Sequence, residues 1–244
     1  YVLTVDGVGD FTGDYGFRLV DITTAVPVTT GAPFDGVLAP PNATNLYRFL
    51  ANAGDLVSFD VVAASDSANT AYRLVGPYGQ IVFTSNTLSD RAAETLATAG
   101  TYTLLVEGRI ANTGSDTYTF NVLFQGNDPP TPFTGTSLTL GNTVTDQISA
   151  AGEQDAYTFT LSQRSLVYFD SLTNSSSLLW TLIGPAGTAV TNRRFDSSDS
   201  FTHETPVLDL VAGDYQLTVS ASASATGDYA FRMIDPSSAT AITP

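Results

Sequence analysis

The sequence predicts an all-β chain made of tandem antiparallel β-sandwich or jelly-roll domains, and three observations carry that prediction. Apolar residues alternate with polar ones: Tyr102, Leu104 and Val106 share one face of a run, as do Tyr118, Phe120, Val122 and Phe124. Clusters of Gly, Asn, Asp and Pro separate such runs, and no window carries a helical apolar stripe. The whole pattern also recurs. Tyr47, Phe49 and Phe59 return 110 residues later as Tyr157, Phe159 and Phe169.

The elements follow in chain order. Residues 1–22 copy the end of the repeat. "YVLTV" at Tyr1 matches "YTLLV" at Tyr102 and "YQLTV" at Tyr215, and "GDYGFRLVD" at Gly13 matches "GDYAFRMID" at Gly227. This stretch reads as the terminal hairpin of a preceding repeat. A lone hairpin is marginal in water, so it is expected to pack against strands of a preceding unit or of another copy of the chain.

Residues 23–125 form the first full unit and 136–235 the second. In each, a run of about eight short strands calls for two stacked sheets. "NLYRFLANAGDLVSFD" returns as "DAYTFTLSQRSLVYFD", and "YRLVGPYGQIV" as "WTLIGPAGTAV", the last pair containing a Gly-Pro turn. Residues 126–135, within "QGNDPPTPFTG", read as a stiff linker, because proline favours extended backbone and supplies no amide donor. Residues 236–244 resemble Ile22 to Thr29 and read as the lead-in to a further repeat. The chain begins at Tyr1 with no visible signal peptide, so it reads as a processed product or a window on a longer array.

Composition bounds the chemistry. A formal charge of −15 disfavours nucleic acid and anionic membrane surfaces as partners, and no apolar run is long enough for membrane insertion. There is no Cys, hence no disulfide, thiolate nucleophile or zinc–thiolate site. There is no Lys, which removes Schiff-base and Walker-type chemistry, and the single histidine, His203, leaves no material for repeated triads.

The assembled strings resemble the bacterial pre-peptidase C-terminal domain family. "DAYTFTLSQRSLVYFD", the turns in "LVGPYG" and "LIGPAG", and "AGTYTLLVEG" followed by "DTYTF" carry the resemblance, which spans both full units and the N-terminal segment. It implies β-sandwich or jelly-roll modules of secreted bacterial proteins, often behind protease or other hydrolase domains and sometimes arrayed in very large surface proteins. Some relatives bind calcium or a polymeric substrate.

Several residues are weighed as sites. "VDGVGDFTGDYGF" places Asp6, Asp10 and Asp14 in a glycine-rich loop, as candidate calcium ligands. Asp6 becomes Glu107 and then Ser220 in the sister loops, and only the last acid persists in both, as Asp116 and Asp228, so the shared role is a hairpin turn and calcium is left to the first copy alone. Trp180 is either a ligand-stacking platform or, since Tyr72 holds the same place in the first unit, a packing residue. His203 reads as a surface residue. Asp60 and Asp170 end the same strand in both units and are either strand-end caps or paired carboxylates. Arg18 and Arg232 occupy matching places with Asp21 and Asp235 three residues on, and read as surface or inter-domain groups. Asn42 and Asn174 open formal glycosylation sequons.

The expected function is non-enzymatic, with no cofactor other than the calcium considered above. The chain is read as a structural segment of a large secreted or cell-surface bacterial protein, an adhesin stalk, spacer or extracellular fibre, able to assemble head-to-tail through the N-terminal hairpin. Its expected partners are neighbouring repeats or copies of itself, with cell-surface glycans as a further class. The alternative is a carbohydrate- or protein-binding accessory domain of a secreted hydrolase; paired-carboxylate hydrolysis is the remote third reading.

Overall fold

The computed structural model describes residues 2–240 and 242. Two β-sandwiches follow one another along the chain, each with nine strands. In the first they are β1 (Val26–Pro27), β2 (Phe34–Leu38), β3 (Thr44–Ala51), β4 (Asp55–Ala64), β5 (Thr70–Val75), β6 (Ile81–Ser85), β7 (Arg91–Leu96), β8 (Gly100–Gly108) and β9 (Asp116–Asn127). In the second they are β10 (Thr136–Ser137), β11 (Thr143–Ile148), β12 (Gln154–Leu161), β13 (Ser165–Ser171), β14 (Leu178–Gly184), β15 (Gly187–Arg194), β16 (Val207–Leu210), β17 (Gly213–Ala221) and β18 (Gly227–Ile234).

The sheet orders are the same in both. The first unit pairs β1-β3-β8-β5-β6 against β2-β9-β4-β7, and the second pairs β10-β12-β17-β14-β15 against β11-β18-β13-β16. Without the short β1, the eight remaining strands stand in the order of a jelly roll, β2-β9-β4-β7 facing β3-β8-β5-β6, two interleaved Greek keys. The ninth strand is the one not anticipated. β1 runs parallel to β3 with Val26 opposite Tyr47, and β10 parallel to β12 with Thr136 opposite Tyr157, so even this two-residue strand keeps its register across the repeat.

Period-two patterning fills two separate cores. The first gathers Tyr47, Phe49, Val57, Phe59, Tyr72, Leu74, Phe83, Tyr102, Leu104, Tyr118 and Phe120 among others. The second gathers their counterparts Tyr157, Phe159, Val167, Phe169, Trp180, Leu182, Tyr215, Leu217, Tyr229 and Phe231. The Gly-Pro turns are held by glycines with left-handed backbone, φ 84° at Gly79 and 96° at Gly187. Each turn's proline lies over a second glycine. A Cβ on Gly100 would sit 2.8 Å from Pro77, and one on Gly213 2.4 Å from Pro185, so a side chain at either place would displace the turn.

Residues 2–21 differ from expectation. They contain no strand, so the expected terminal hairpin does not form there. Two strands exposing one apolar face gain little without a sheet to join or a second sheet to cover them, and the described residues supply neither to this segment. β9 in turn runs two residues into the predicted linker, to Asn127. The linker is tied at both ends, by Asp128 N–H donating to Gly54 O at 2.8 Å and by Gln216 Nε2 donating to Thr134 O at 2.8 Å.

Candidate assembly surfaces

Trp180 is packed inside. It is fully buried in β14, stacks on Phe169 with centroids 4.0 Å apart, and donates from Nε1 to Ser198 Oγ at 2.7 Å. Ser198 in turn donates to Arg194 O at 2.5 Å, so the indole N–H is satisfied by a local chain that needs no ligand. A ligand-stacking role for Trp180 is therefore excluded by burial.

The structure does not bring Asp6, Asp10 and Asp14 together. They lie on exposed coil, and among the described residues no group of three His, Cys, Asp or Glu side chains gathers to hold a metal. His203, expected on the surface, is half-buried, and its Nε2 is covered without a partner among the described residues.

Asp60 and Asp170 are not one paired site; each serves its own sandwich. Asp170 accepts from Arg232 Nε at 2.8 Å and from Nη2 at 2.5 Å, across the β13–β18 ladder that places the two residues opposite one another. In the first unit the same ladder sets Asp60 opposite Asn121. Arg232 thus pairs with Asp170 and not with Asp235. Arg18, its N-terminal counterpart, makes no ion pair among the described residues and donates instead to Thr44 O at 2.7 Å.

Two devices repeat that sequence reading passed over. Val61 N–H donates to Asp90 Oδ1 at 2.8 Å, and its counterpart Ser171 N–H to Asp199 Oδ2 at 2.7 Å. A carboxylate from the loop before β7 or β16 thereby satisfies a backbone donor that the ladder leaves free. The near-equal spacing of Asp90 and Asp199 was the available signal. The second device is a tyrosine pair in each core, Tyr47 with Tyr118 and Tyr157 with Tyr229, each sharing a hydrogen bond of 2.6 Å.

The surroundings of these pairs differ. In the first unit Asn45 Nδ2 donates to Tyr118 Oη at 2.8 Å. In the second, Tyr229 donates to Asp155 Oδ2 at 2.6 Å and Tyr157 lies 3.0 Å from Asp146 Oδ2. Two hydroxyl protons cannot serve three contacts at once: with Tyr229 donating to Asp155, Tyr157 donates either to Tyr229 or to Asp146. Burial pushes the Tyr157 hydroxyl up to about 12, and burial together with the Asp155 carboxylate raises Tyr229 further. In the first unit burial raises Tyr118 as well.

Like ends of the two units meet. Thr98 Oγ1, just before β8, donates to Pro185 O at 2.6 Å in the second unit's Gly-Pro turn. Tyr78, in the first unit's Gly-Pro turn, places its hydroxyl 3.4 Å from Ala212 O, just before β17. The same two turns of each sandwich therefore face each other, turn to strand approach and strand approach to turn, as a self-complementary contact would arrange them.

The remaining surface of interest is the N-terminal segment. Its apolar side chains, among them Leu3, Tyr15, Phe17 and Leu19, are exposed. Residues 16–18 and Val20 line a shallow groove with Pro40, Asn42–Thr44 and Ile110 at one end of the first sandwich. The segment ends in a 3₁₀ turn, Ile22–Thr24, capped by Asp21 accepting from Thr23 N–H at 2.9 Å. The turn Pro236–Ser238 is built identically, with Asp235 accepting from Ser237 N–H at 2.8 Å.

Comparison with known proteins adds little. No family model matches the chain, and no curated protein matches it. Among solved structures, the CUB1-EGF-CUB2 domains of human MASP-1/3 overlap 82% of this chain and 99% of that one, at 9% identity and a TM-score of 0.24. Those of rat MASP-1 overlap 85% and 99%, at 8% and 0.27. The A223 turret protein of Sulfolobus turreted icosahedral virus overlaps 83% and 97%, at 11% and 0.21. The fold is thus defined by its own strand order, and no helix among the described residues is long and apolar enough to cross a membrane.

Proposed function

We propose that this chain is a non-enzymatic structural segment, a spacer or stalk within a large secreted or cell-surface bacterial protein. The observation that carries the reading is that the two jelly rolls have the same strand order and separate cores. Each unit holds itself together, so repetition adds length without requiring a new interface. The pinned Pro-rich linker and the contact from Thr98 to Pro185 resist bending between units. The resemblance to pre-peptidase C-terminal modules, the absence of cysteine and the acidic surface accord with a secreted bacterial setting. The glycan-binding alternative loses its aromatic platform with the burial of Trp180.

Single-molecule stretching tests this. A spacer of two independent units gives two unfolding events, each releasing roughly 300–350 Å of contour length for about 100 residues. One event releasing the whole chain, or unfolding without measurable force, would count against it.

A further inference from the structure

One arginine of the second sandwich is covered without an acceptor. The 9 basic residues, all arginine, stand against 24 acidic ones, and five of them are ion-paired: Arg73, Arg91, Arg164, Arg194 and Arg232. Arg18 and Arg109 donate to backbone carbonyls, and Arg48 is exposed. Arg193 is half-buried and makes no ion pair or hydrogen bond among the described residues, and its Nη1 is sealed from solvent. Its guanidinium lies 5.2 Å from the centre of the Trp180 ring, the residue opposite it on the β14–β15 ladder. Burial pushes its pKa down, and no neighbouring carboxylate opposes that shift.

The first sandwich closes the same place. There β6 and β7 are the edge strands of the two sheets, as β15 and β16 are in the second. Opposite Leu74, β6 carries Phe83; Arg91 of β7 lies 4.1 Å from the centre of that ring and is paired with Glu94. Opposite Leu182, β15 carries the smaller Val190. A cleft of about 410 Å³ is left between β15 and β16, with Arg193, Thr188, Thr205, Ala189 and Val207 in its wall. That volume is in the range of small-molecule sites, about 300–1,000 Å³. Asp209 also borders the cleft, but its carboxylate is held by Arg164, whose Nε donates at 2.7 Å.

We propose that this cleft binds a carboxylate, carried on a ligand the size of a single sugar acid, with the guanidinium of Arg193 as its anchor. A covered N–H donor without an acceptor is costly, and a carboxylate is the acceptor that the planar fork of arginine fits best. The hydroxyls of Thr188 and Thr205 suit a hydroxylated ligand, and Ala189 and Val207 suit the carbon face of its ring. The chain's charge of −15 repels a polyanion as a whole, while salt screens it from a single carboxylate, so a monomeric acid is selected over an acidic polymer. The site needs no aromatic platform, so the burial of Trp180 does not count against it. It goes beyond the spacer reading, because it belongs to the second sandwich alone.

The test is calorimetric titration of the full chain with D-glucuronate, neutral D-glucose and polygalacturonate. Glucuronate is expected to bind about tenfold or more tightly than glucose, and more tightly than polygalacturonate counted per sugar. Arg193→Gln should weaken glucuronate by about tenfold or more, while Arg48→Gln, at an exposed arginine of the first unit, leaves it unchanged. Ala189→Glu places a carboxylate in the cleft wall, so the chain supplies its own acceptor and glucuronate binding should be abolished. The blue emission of buried Trp180, the single tryptophan, reports that the second core is intact in each variant. Should Arg193→Gln lose that emission, Ala189→Glu alone decides. The proposal is overturned if glucuronate binds no better than glucose, if either cleft variant with an intact core binds it as the parent does, or if Arg48→Gln loses as much as Arg193→Gln. A preference for polygalacturonate overturns the monomeric acid as ligand. None of these outcomes alters the two unfolding events expected of a spacer, so the two readings fail separately.

Discussion

The two sandwiches share nine strands in one order, yet they fill the same central place differently. In the first, Tyr72 packs against Phe59 and Phe83, the latter supplied by β6, and its hydroxyl reaches Ser89 O at 2.7 Å. In the second, Trp180 lies flat on Phe169, and the edge-on aromatic comes from Phe195, in the 3₁₀ turn that follows β15. The larger indole occupies space that tyrosine leaves free, and the third ring comes from a turn where the first unit uses a strand. The lesson is that a jelly roll specifies volume and satisfied polar tips at its centre, not particular residues.

The sharpest way to break this comparison is to empty each centre in turn. Phe169→Ala is expected to cost the second unit about 3–5 kcal/mol, and Phe59→Ala to cost the first a similar amount. With denaturant unfolding followed by Trp180 emission, Phe169→Ala shifts the midpoint while Phe59→Ala leaves it in place. If both shift it equally, the two cores are not independent.

Alkaline titration comes next. Tyrosines whose folded-state pKa is raised above the usual value near 10 contribute a stability that is fully present below about pH 10. It is lost as pH rises from there through the folded values, about 12 for Tyr157 and higher for Tyr229. Both units should lose melting temperature above about pH 10. Asp155→Asn, which gives the second unit the neutral arrangement that Asn45 gives the first, should make the second unit's loss shallower. An unchanged slope in thermal melts across that range would refute the role given to Asp155.

Asp90→Ala and Asp199→Ala should each cost about 1–2 kcal/mol, because each leaves one backbone donor without its carboxylate. Equal losses in the two units, read from chemical denaturation, would establish the cap as a common device. Arg232→Asn, which copies the first unit's Asn121, should cost at most about 1 kcal/mol, since the pair with Asp170 is partly exposed. Raised salt should shrink the difference from the parent chain. Smallest is Thr98→Val, a few tenths of a kcal/mol at a contact that is partly exposed. Its readout is a change in the angle between units by small-angle scattering, and none is expected in either melting transition.

Much of this is legible in the amino-acid sequence alone. Period-two runs such as Tyr118, Phe120 and Val122 named both strand and buried face, and the Tyr72–Trp180 correspondence pointed to packing. The glycine-rich loop at Asp6, Asp10 and Asp14 mimicked a metal site because turns and calcium loops draw on the same residues, Gly and Asp. The pairing of Arg232 with Asp170 was missed because reasoning within one strand looks three residues along it, to Asp235. Residues 2–21 carry the strand pattern yet form no strand, because such a pattern states what a segment can join and not what covers it.

The sequence by itself determined the all-β class, the repetition and most of the buried face of runs such as Tyr118 to Phe124, of which Phe124 alone among the alternating aromatic and aliphatic residues is exposed, since these rest on local alternation and on self-similarity along the chain. Only the tertiary structure decided that Trp180 is sealed from solvent, that Asp170 meets Arg232 and Asp199 meets Ser171, and that like turns of the two units face each other. Those facts depend on register between strands far apart in the chain. Register is fixed by which sheet each strand joins and what covers it, which no single strand encodes.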